Sequence, residues 1–397
     1  MDGVLVYLDH AATTPMHPEA VAAMAPYFAD SYANPSGSHR LARAARLAVD
    51  EARDAVAAEI GCRSGEVVFT GCGTESDNAA ITGVLAATGG GRAVCPAAEH
   101  HAVLHCVEAA QGTVVGVDGK GCVDLDALAD ALARATTDDA VVRVVSVMAV
   151  NNEVGSITDL GAVARLVRSL APDAVFHTDA VQAANWLALP ELWSHVDLLS
   201  LSAHKFGGPK GVGVLAVRDG VTLEPLLRGG GQERDRRSGT HNVAGIVGAA
   251  TALGNACAER AAEVARLGAL RDRLVDALVG ADLGVIETVP RSAKVAGSAH
   301  VCIEGVENEA LLYLLDEEGL CASAASACAS GAMEPSHVLA AMGVPRDTAL
   351  GALRMTLGRT TTAADVDRAI EVVTSAVSRL RQAMGRTRPA RSQTAGT

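Results

Sequence analysis

Short apolar segments rich in valine alternate with longer amphipathic segments between about residues 50 and 260. Six of the short segments predict strands: EVVFT (66–70), RAVCP (92–96), VVRVVSVM (141–148), AVFHTD (174–179), VDLLSLS (196–202) and GVGVLAV (211–217). Amphipathic segments that predict helices follow the first two of them, one of these helices starting at Glu75. This alternation indicates an α/β protein with a mostly parallel central sheet that helices cover.

The pattern changes after about residue 258, where long helical segments surround only two strand-like ones, HVCIEG (300–305) and LRMTLG (353–358). This change predicts a second, smaller α+β domain. We place a large domain at 15–258 and the small domain at 1–14 and 259–385. The last residues, 386–397, lack periodicity, and we expect a disordered tail.

Composition narrows the class of protein. The 397 residues are 49% hydrophobic and carry a formal net charge of −13. So acidic a chain repels nucleic-acid phosphates on average, and we expect no direct nucleic-acid partner. A local basic patch stays open, and its candidates are Arg228, Arg234, Arg236 and Arg237, with Arg386, Arg388 and Arg391 near the C-terminus.

Neither a membrane nor an oxidising compartment is expected. No apolar run approaches the roughly 18 residues of a membrane span. The nine cysteines form no C-x-x-C pair, and the start MDGVLVYLDHAATTP lacks the pattern of a signal peptide. These features predict free thiols in a reducing cytoplasm.

One lysine stands where a buried strand ends. In DLLSLSAHKFGGPKGVGVL (197–215), an apolar strand runs into Ser202, His204 and Lys205 before a glycine-rich turn. Asp179 closes another predicted strand, and Gln182 follows it by three residues. An isolated loop lysine is usually just exposed, so its neighbours decide the interpretation.

The segment FTGCGTESDNAA (69–80) adds a strand, a glycine-rich turn and a helix start that contains Thr74. Such a turn presents N–H groups and a hydroxyl to an anion, although many helices begin this way simply as a cap. Pyridoxal 5'-phosphate needs a lysine for its aldehyde, a carboxylate for its ring nitrogen and polar donors for its phosphate. Lys205, Asp179 and the group of Thr74, Ser202 and His204 match these needs.

Three histidines occur in EHHAVLHC (99–106): His100, His101 and His105. The spacing of the last two puts them on one helical face, where they form a possible metal pair. The zincin glutamate is absent between them, and no third ligand is evident. We therefore favour a ring-stacking or acid–base role for His100 and predict no metal site.

Nine motifs occur along the chain in a characteristic order: YANPSGSH, GTESDNAAI, EHHAVL, NNEVG, TDAVQA, SAHKFGGPKGVG, GGGQERDRRSGT, SACASGAMEPSHVL and LRMTLGRTT. With them, the chain from YLDHAATTP (7–15) to about residue 380 resembles a cysteine desulfurase of the class V aminotransferase group. The resemblance implies a fold-type I pyridoxal-phosphate transferase. One departure is His10, which stands where relatives often carry asparagine.

The resemblance also implies roles for residues around the cofactor. Lys205 would bind the cofactor covalently and move protons at the substrate Cα, Asp179 would pair with the ring nitrogen, and His100 would stack on the ring. Further cofactor contacts would come from Asn152 and Gln182 at the ring hydroxyl, from Gly73, Thr74, Ser202 and His204 at the phosphate end, and from Thr240 at the partner's phosphate in a homodimer.

The substrate and the sulfur are assigned in the same way. The resemblance implies that Arg354 and Asn34 bind the carboxylate of L-cysteine and that the Cys328 thiolate takes the sulfur as a persulfide. A sulfur-acceptor protein, either a scaffold or a thiolation enzyme, would receive it next. The pathway stays open between iron–sulfur cluster assembly, tRNA thiolation and other sulfur-consuming processes.

Two other functions stay open on the sequence alone. A selenocysteine lyase would share Lys205 and Asp179 but would depend less on a cysteine such as Cys328. A scaffold protein with the same fold would bind partners without catalysis, although its intact lysine, aspartate and cysteine argue against it.

Overall fold

The computed structural model describes residues 5–135, 141–324 and 335–387. The strands are β1 (Val6–Tyr7), β2 (Val67–Thr70), β3 (Arg92–Pro96), β4 (Thr113–Val115), β5 (Val142–Ser146), β6 (Val175–Asp179), β7 (Leu198–Ser202), β8 (Gly213–Val217), β9 (Val285–Glu287), β10 (Ser298–Ile303), β11 (Leu320–Cys321) and β12 (Ala352–Thr356). The helices are α1 (Pro18–Met24), α2 (Pro26–Ala29), α3 (Arg40–Ile60), α4 (Gly73–Ala87), α5 (His101–Ala109), α6 (Leu125–Ala135), α7 (Leu160–Leu170), α8 (Leu189–His195), α9 (Val243–Gly280), α10 (Asn308–Glu317), α11 (His337–Ala341), α12 (Arg346–Ala349) and α13 (Ala363–Thr387).

A seven-stranded sheet forms the centre of the fold, in the order β2-β8-β7-β6-β5-β3-β4. The pairs from β7 to β4 are parallel, and β8 alone runs against its neighbours β2 and β7. All six strands predicted for this part of the chain are present. The short strand β4 was not predicted. The mostly parallel α/β architecture is therefore confirmed.

Helices cover both faces of this sheet, because alternate residues of each strand enter different hydrophobic clusters. Val145 of β5 and Leu199 of β7 pack in a large cluster with α3, α6, α7 and α9. Their chain neighbours Val144 and Leu198 pack on the other face, in a smaller cluster with α4 and α5. Burial on both faces explains why these strands are continuously apolar in the sequence.

A second core contains the N-terminal strand and the C-terminal part of the chain. It combines β1, β10 and β12 with the second half of α9, α10 and α13. The sheet in this region has the order β12-β10-β9, and both pairs are antiparallel. The exact domain boundaries that we placed at residues 14 and 258 stay a prediction.

The C-terminal helix reaches the start of the segment that we predicted to be a disordered tail. Helix α13 continues to Thr387, so the first two residues of the predicted disordered tail are helical. Positions 388–397 lie outside the described residues. Within the described ranges, no helix combines the length and the apolar character needed to cross a bilayer. The eight cysteines in these ranges are free thiols.

Candidate active site

A cavity of about 290 Å³ opens at the carboxyl edge of the parallel strands. Ten of the thirteen predicted site residues line it: Gly73, Thr74, His100, Asn152, Asp179, Gln182, Ser202, His204, Lys205 and Arg354. Cys72, Asp77, Met148 and Val150 complete much of the wall, with Ala11, Ala12 and Val181. The side chains that sequence patterns assigned to one cofactor therefore do meet in one place.

The topology explains this meeting. Asp179 and Ser202 are the last residues of two adjacent parallel strands, β6 and β7. His100 follows β3, and Gly73 opens the helix after β2. The carboxyl ends of parallel strands lie at one edge of a sheet, where α/β proteins usually bind their ligands.

The Lys205 amine contacts the N-terminal segment of the chain. Its Nζ donates hydrogen bonds to the carbonyl oxygens of Ala11 (2.6 Å) and Ala12 (2.9 Å). Burial, assisted by the nearby Arg354 guanidinium, lowers the pKa of Lys205 from 10.5 to about 8. A substantial fraction of the amine is therefore neutral near pH 8, as a nucleophilic lysine requires.

This pKa leads to a pH prediction. A neutral amine attacks an aldehyde, so we expect cofactor-free protein to capture pyridoxal phosphate at a rate that rises with pH and levels off above about pH 8. An ordinary lysine would continue to gain rate up to about pH 10.5. Stopped-flow absorption measures the rate, with Nα-acetyl-lysine as the control for the reagent's own titration. A rate that still climbs above pH 9 would contradict the prediction.

Asp179 and His100 occupy the middle of the cavity. The Asp179 carboxylate accepts a hydrogen bond from the backbone N–H of Val181 (2.8 Å). Burial raises the pKa of Asp179, and the nearby His100 and Lys205 oppose this rise. The Nδ1 atom of His100 accepts from the N–H of Ala102 (3.1 Å) and so caps α5, which leaves the ring proton on Nε2.

One end of the cavity is formed by the first turn of α4 and the end of β7. The first N–H groups of a helix have no partner within the helix and attract anions. Ser202 Oγ, opposite them, is buried and has no hydrogen-bond partner among the described residues. A Cβ on Gly73 would lie 2.7 Å from Val181 Cγ2, in the turn after β6, and 3.3 Å from Ser202 Cβ, so the helix start packs tightly here.

His204 and Gln182 contact the N-terminal segment next to Lys205. His204 Nδ1 lies 3.1 Å from the hydroxyl of Thr13, and burial lowers the pKa of His204 to about 4. Gln182 Nε2 donates to the carbonyl of Ala11 at 2.8 Å.

The donor set of this cavity fits pyridoxal phosphate. Besides Ser202 Oγ, the Asn152 Oδ1 atom is buried and unpaired among the described residues. Unpaired buried polar atoms are costly, and a ligand that bonds them removes the cost. A nucleophilic amine, a buried carboxylate and a helix N-terminus complete what the cofactor requires.

Arg354 forms the far wall and is held by two other segments of the chain. Its Nη2 donates to the carboxylate of Asp9 (2.8 Å), and its Nη1 donates to the carbonyl of Asn152 (3.1 Å). Its Nε is buried without a partner among the described residues. The guanidinium is thus fixed with donor capacity left for a carboxylate.

Asp9 and Arg354 act on the Lys205 pKa in opposite directions, which gives a second pH prediction. Arg354 lowers this pKa, whereas Asp9 raises it. We therefore expect Asp9→Asn to move the midpoint of the capture-rate profile to lower pH and Arg354→Gln to move it to higher pH. The same stopped-flow titration checks both. Shifts of the same sign in the two variants would contradict this electrostatic account.

Three predicted site residues lie elsewhere. Asn34 is exposed, its side chain accepts from the N–H of Ser36, and it does not line the cavity. Thr240 is exposed and lines a separate cavity beside Glu233 and His241. Cys328 lies outside the described residues. The roles assigned to these three residues stay predictions.

The histidines of α5 share a face, as their spacing predicted. The rings of His101 and His105 stack with centroids 4.7 Å apart, and His337 lies 4.5 Å from His101. Within the described ranges, no three His, Cys, Asp or Glu side chains are arranged to hold a metal ion.

The structure explains His10, which the sequence left without a physical account. Its Nδ1 lies 3.0 Å from the carbonyl of Thr356, and its Nε2 lies 3.3 Å from the hydroxyl of Thr360. His10 therefore fastens the N-terminal segment to the end of β12. This contact helps to hold Asp9 beside Arg354.

Comparison with known proteins agrees with this geometry. Residues 6–369 match the family model Aminotransferase class-V. The IscS-like cysteine desulfurase of Mycobacterium tuberculosis is 44% identical over 391 residues, covering 96% of this chain and 98% of that protein.

Two solved structures are also similar. A NifS-like protein has a TM-score of 0.86 at 35% identity and covers 94% of this chain and 100% of its own. The structure described as SspA in complex with cysteine has a TM-score of 0.75 at 28% identity. It covers 89% of this chain and 98% of its own. The chain therefore belongs to the aminotransferase class-V family and, within it, to the group of the cysteine desulfurases.

Proposed function

We propose that this protein is a pyridoxal-phosphate-dependent L-cysteine desulfurase that forms alanine and passes sulfur to Cys328. One observation carries the proposal: a single cavity joins the low-pKa amine of Lys205 to the buried carboxylate of Asp179 and the fixed guanidinium of Arg354. A cysteine-bound structural relative supports L-cysteine as the substrate.

Each part of the cavity has a place in holding the cofactor. The first turn of α4, with Gly73 and Thr74, and the free hydroxyl of Ser202 would hold the phosphate. Asp179 would face the ring nitrogen, His100 would lie against the ring, and Asn152 with Gln182 would reach the ring hydroxyl. When bound, the cofactor supplies an electron sink at the substrate Cα.

The chain's own residues then bind, orient and move protons. Arg354 binds the substrate carboxylate through its remaining donors and so fixes the Cα near Lys205. The Lys205 amine, with its pKa of about 8, accepts or returns the Cα proton at neutral pH. The carbonyls of Ala11 and Ala12 accept hydrogen bonds from the lysine and stabilise it when it carries that proton.

Cys328 completes the reaction as the sulfur carrier. Its thiolate attacks the substrate sulfur; the bond from sulfur to Cβ breaks, a sulfur–sulfur bond forms, and Cβ gains a proton to give alanine. The products are alanine and a Cys328 persulfide, so no external oxidant is needed. An acceptor protein, a scaffold or a thiolation enzyme, or an added thiol then removes the outer sulfur.

A homodimer completes the proposal. Large apolar side chains are exposed near the N-terminus, at Phe28 (68%), Tyr32 (70%), Leu41 (42%) and Leu47 (57%). Exposed apolar surface of this kind is typical of protein interfaces. Thr240 would reach the partner's cofactor phosphate, and the enzyme would work in the reducing cytoplasm.

Product analysis tests the proposed function. Purified protein loaded with pyridoxal phosphate is incubated with L-cysteine and a thiol reductant, and alanine and sulfide are measured. We expect equal amounts of both. Cofactor-bound protein that makes no sulfide would refute the choice of substrate while leaving the cofactor site intact.

Two rival functions give different results in the same assay. A selenocysteine lyase would act on L-selenocysteine far faster than on L-cysteine, so both substrates are compared at equal concentration. A non-catalytic scaffold would purify without the visible absorption of bound pyridoxal phosphate and would not acquire it on addition of the cofactor.

A further inference from the structure

Three carboxyl groups are buried around the cavity, and two of them, Asp77 and Glu99, have no role in the proposed reaction. Asp77 of α4 is 1% exposed, Glu99 is 0% exposed, and Asp179 is 6% exposed. Asp179 would face the ring of the proposed cofactor, and Glu99 Oε1 accepts the N–H of Met148 at 2.6 Å. Asp77 also lines the cavity but was not recognised in the sequence.

A buried hydrogen-bonded chain ends at Asp77. His177 Nδ1 lies 2.8 Å from Ser146 Oγ, and His177 Nε2 lies 2.9 Å from Ser200 Oγ. The Ser200 hydroxyl in turn interacts with the Asp77 carboxyl. The strands β5, β6 and β7 each contribute one residue, so the chain crosses the sheet directly beneath the cavity.

Burial and the charged neighbours of Asp77 oppose a negative charge there, and they outweigh the contact with the Ser200 hydroxyl, which favours one. Its Oδ1 has no hydrogen-bond partner among the described residues and lies 3.6 Å from His177 Nε2. His177 is fully buried, and burial lowers its pKa to about 3, so it brings no positive charge. The other ionisable groups that face Asp77 are Asp179, Glu99 and Cys72, and each disfavours its ionised form.

Asp179 has the opposite surroundings. Val181 donates an N–H to it, and the Lys205 amine and the His100 ring lie nearby and oppose the rise of its pKa. When two neighbouring buried carboxyls compete for one negative charge, the charge goes to the group with donors and cations around it. Burial and the charge on Asp179 together raise the pKa of Asp77 well above its ordinary value.

We infer that Asp77 is a positioning residue that stays protonated and donates its proton to Ser200, which leaves Asp179 as the charged carboxylate for the ring nitrogen. The order of the hydrogen bonds then follows. The Ser200 hydroxyl donates to His177 Nε2, and His177 Nδ1–H donates to Ser146. The inference about Asp179 rests on the proposed function, whereas the proton order from Asp77 to Ser146 does not.

Substitutions separate a neutral Asp77 from a charged one. Asn is a neutral donor of the same shape, so Asp77→Asn is expected to keep the cofactor dissociation constant within about threefold of that of the original protein. The pH at which this constant changes should stay the same. Asp77→Leu loses the hydrogen bond and is expected to weaken cofactor binding about tenfold. Asp179→Asn, which removes the required charge, is expected to weaken it more than either.

The result that overturns the inference is equally specific. If Asp77 carries the negative charge, Asp77→Asn will impair cofactor binding as strongly as Asp77→Leu and will shift the pH profile. Equal losses of cofactor binding in Asp77→Asn and Asp179→Asn would overturn the inference as well.

Two measurements on cofactor-free protein test the proton itself. The infrared spectrum at neutral pH should contain a protonated carboxylic-acid band that Asp77→Asn removes and Asp179→Asn does not. NMR of protein with 15N-labelled histidine should place the His177 proton on Nδ1. A His177 proton on Nε2, or an infrared spectrum unchanged by Asp77→Asn, refutes the inference even if the enzyme proves to be a desulfurase. Failure of the original protein to bind pyridoxal phosphate, with both signals present in it, would instead refute the proposed function and leave the proton order standing.

Discussion

Lys205→Ala is expected to lower the rate of sulfide release from L-cysteine by at least about a thousandfold, because the nucleophile that holds the cofactor is lost. No described residue replaces it. Arg354 is the other cation of the cavity wall, but a guanidinium stays protonated and pairs here with Asp9. The variant should still bind pyridoxal phosphate weakly, without a covalent bond, through the first turn of α4 and Asp179. Gel filtration should therefore separate the cofactor from the protein, and absorption spectroscopy of the protein fraction measures how much remains.

Two further variants make this result specific. Lys205→Arg keeps a positive charge near the carbonyls of Ala11 and Ala12 but cannot form the covalent bond, so it should be as inactive as Lys205→Ala. Cys328→Ala should also release no sulfide, yet it should retain the cofactor through gel filtration. Sulfide release by Lys205→Arg, or cofactor loss in Cys328→Ala, would contradict this division of roles.

The parallel sheet could be predicted from sequence because the burial of each strand is visible in its own consecutive residues. Leu198–Ser202 is buried along its whole length, so the strand appears as a continuous apolar run that ends in polar residues. The same holds for Val175–Asp179, where the last residue is the carboxylate of the cavity. In parallel strands such polar endings meet at one edge, and the cavity therefore followed from the predicted strand ends.

Other parts of the site depend on pairs that no local pattern reveals. Asp9 and Arg354 form an ion pair across 345 positions of the chain. Asp77 is the fifth residue of α4 and belongs to no pattern in the sequence. Its surroundings become evident only in the structure, where His177 and Ser200 lie beside it. The Asn34 side chain lies at the surface, where it accepts the N–H of Ser36, and its contact with the substrate stays a prediction.

The motif GGGQERDRRSGT contains another contact that no local pattern reveals. In the sequence its arginines were the candidates, whereas in the structure Glu233 makes the buried contacts. Three successive residues, Glu233, Arg234 and Asp235, have φ angles of 50°, 58° and 64°. This left-handed conformation costs roughly 1–2 kcal/mol for each residue that is not glycine. Contacts elsewhere must therefore hold the turn, and they converge on one carboxylate.

Glu233 is 5% exposed and accepts four hydrogen bonds. Arg53 binds both of its oxygens, at 2.6 and 2.7 Å, and the N–H of Phe69 and the ring of His241 supply the other two. This buried pair links α3 and β2 to the turn that leads to Thr240. It thereby fixes the surface at which we propose that the second subunit docks.

Glu233→Gln is expected to lower the free energy of unfolding by about 3–5 kcal/mol, because it leaves the Arg53 guanidinium buried without its counter-charge. Chemical denaturation monitored by circular dichroism measures the change. Arg53→Met with Glu233→Gln in one chain is the matched control. Removing both charges should restore much of the loss, since a buried ion pair replaced by an apolar side chain is often close to neutral.

The pH dependence of this stabilisation has a definite sign. Burial alone would raise the pKa of Glu233, but the hydrogen bonds from Arg53 and His241 outweigh it and lower this pKa from 4.5 to about 2. A carboxyl whose pKa is lower in the folded state stabilises the fold above its unfolded pKa and loses that contribution as the pH falls toward the folded value. The difference in the free energy of unfolding between the original protein and Glu233→Gln should therefore be constant above about pH 5 and should shrink between pH 4.5 and pH 2. A gap that persists unchanged at pH 2.5 would mean that Glu233 stabilises the turn by shape alone, and the charge would have no part in holding the strained residues.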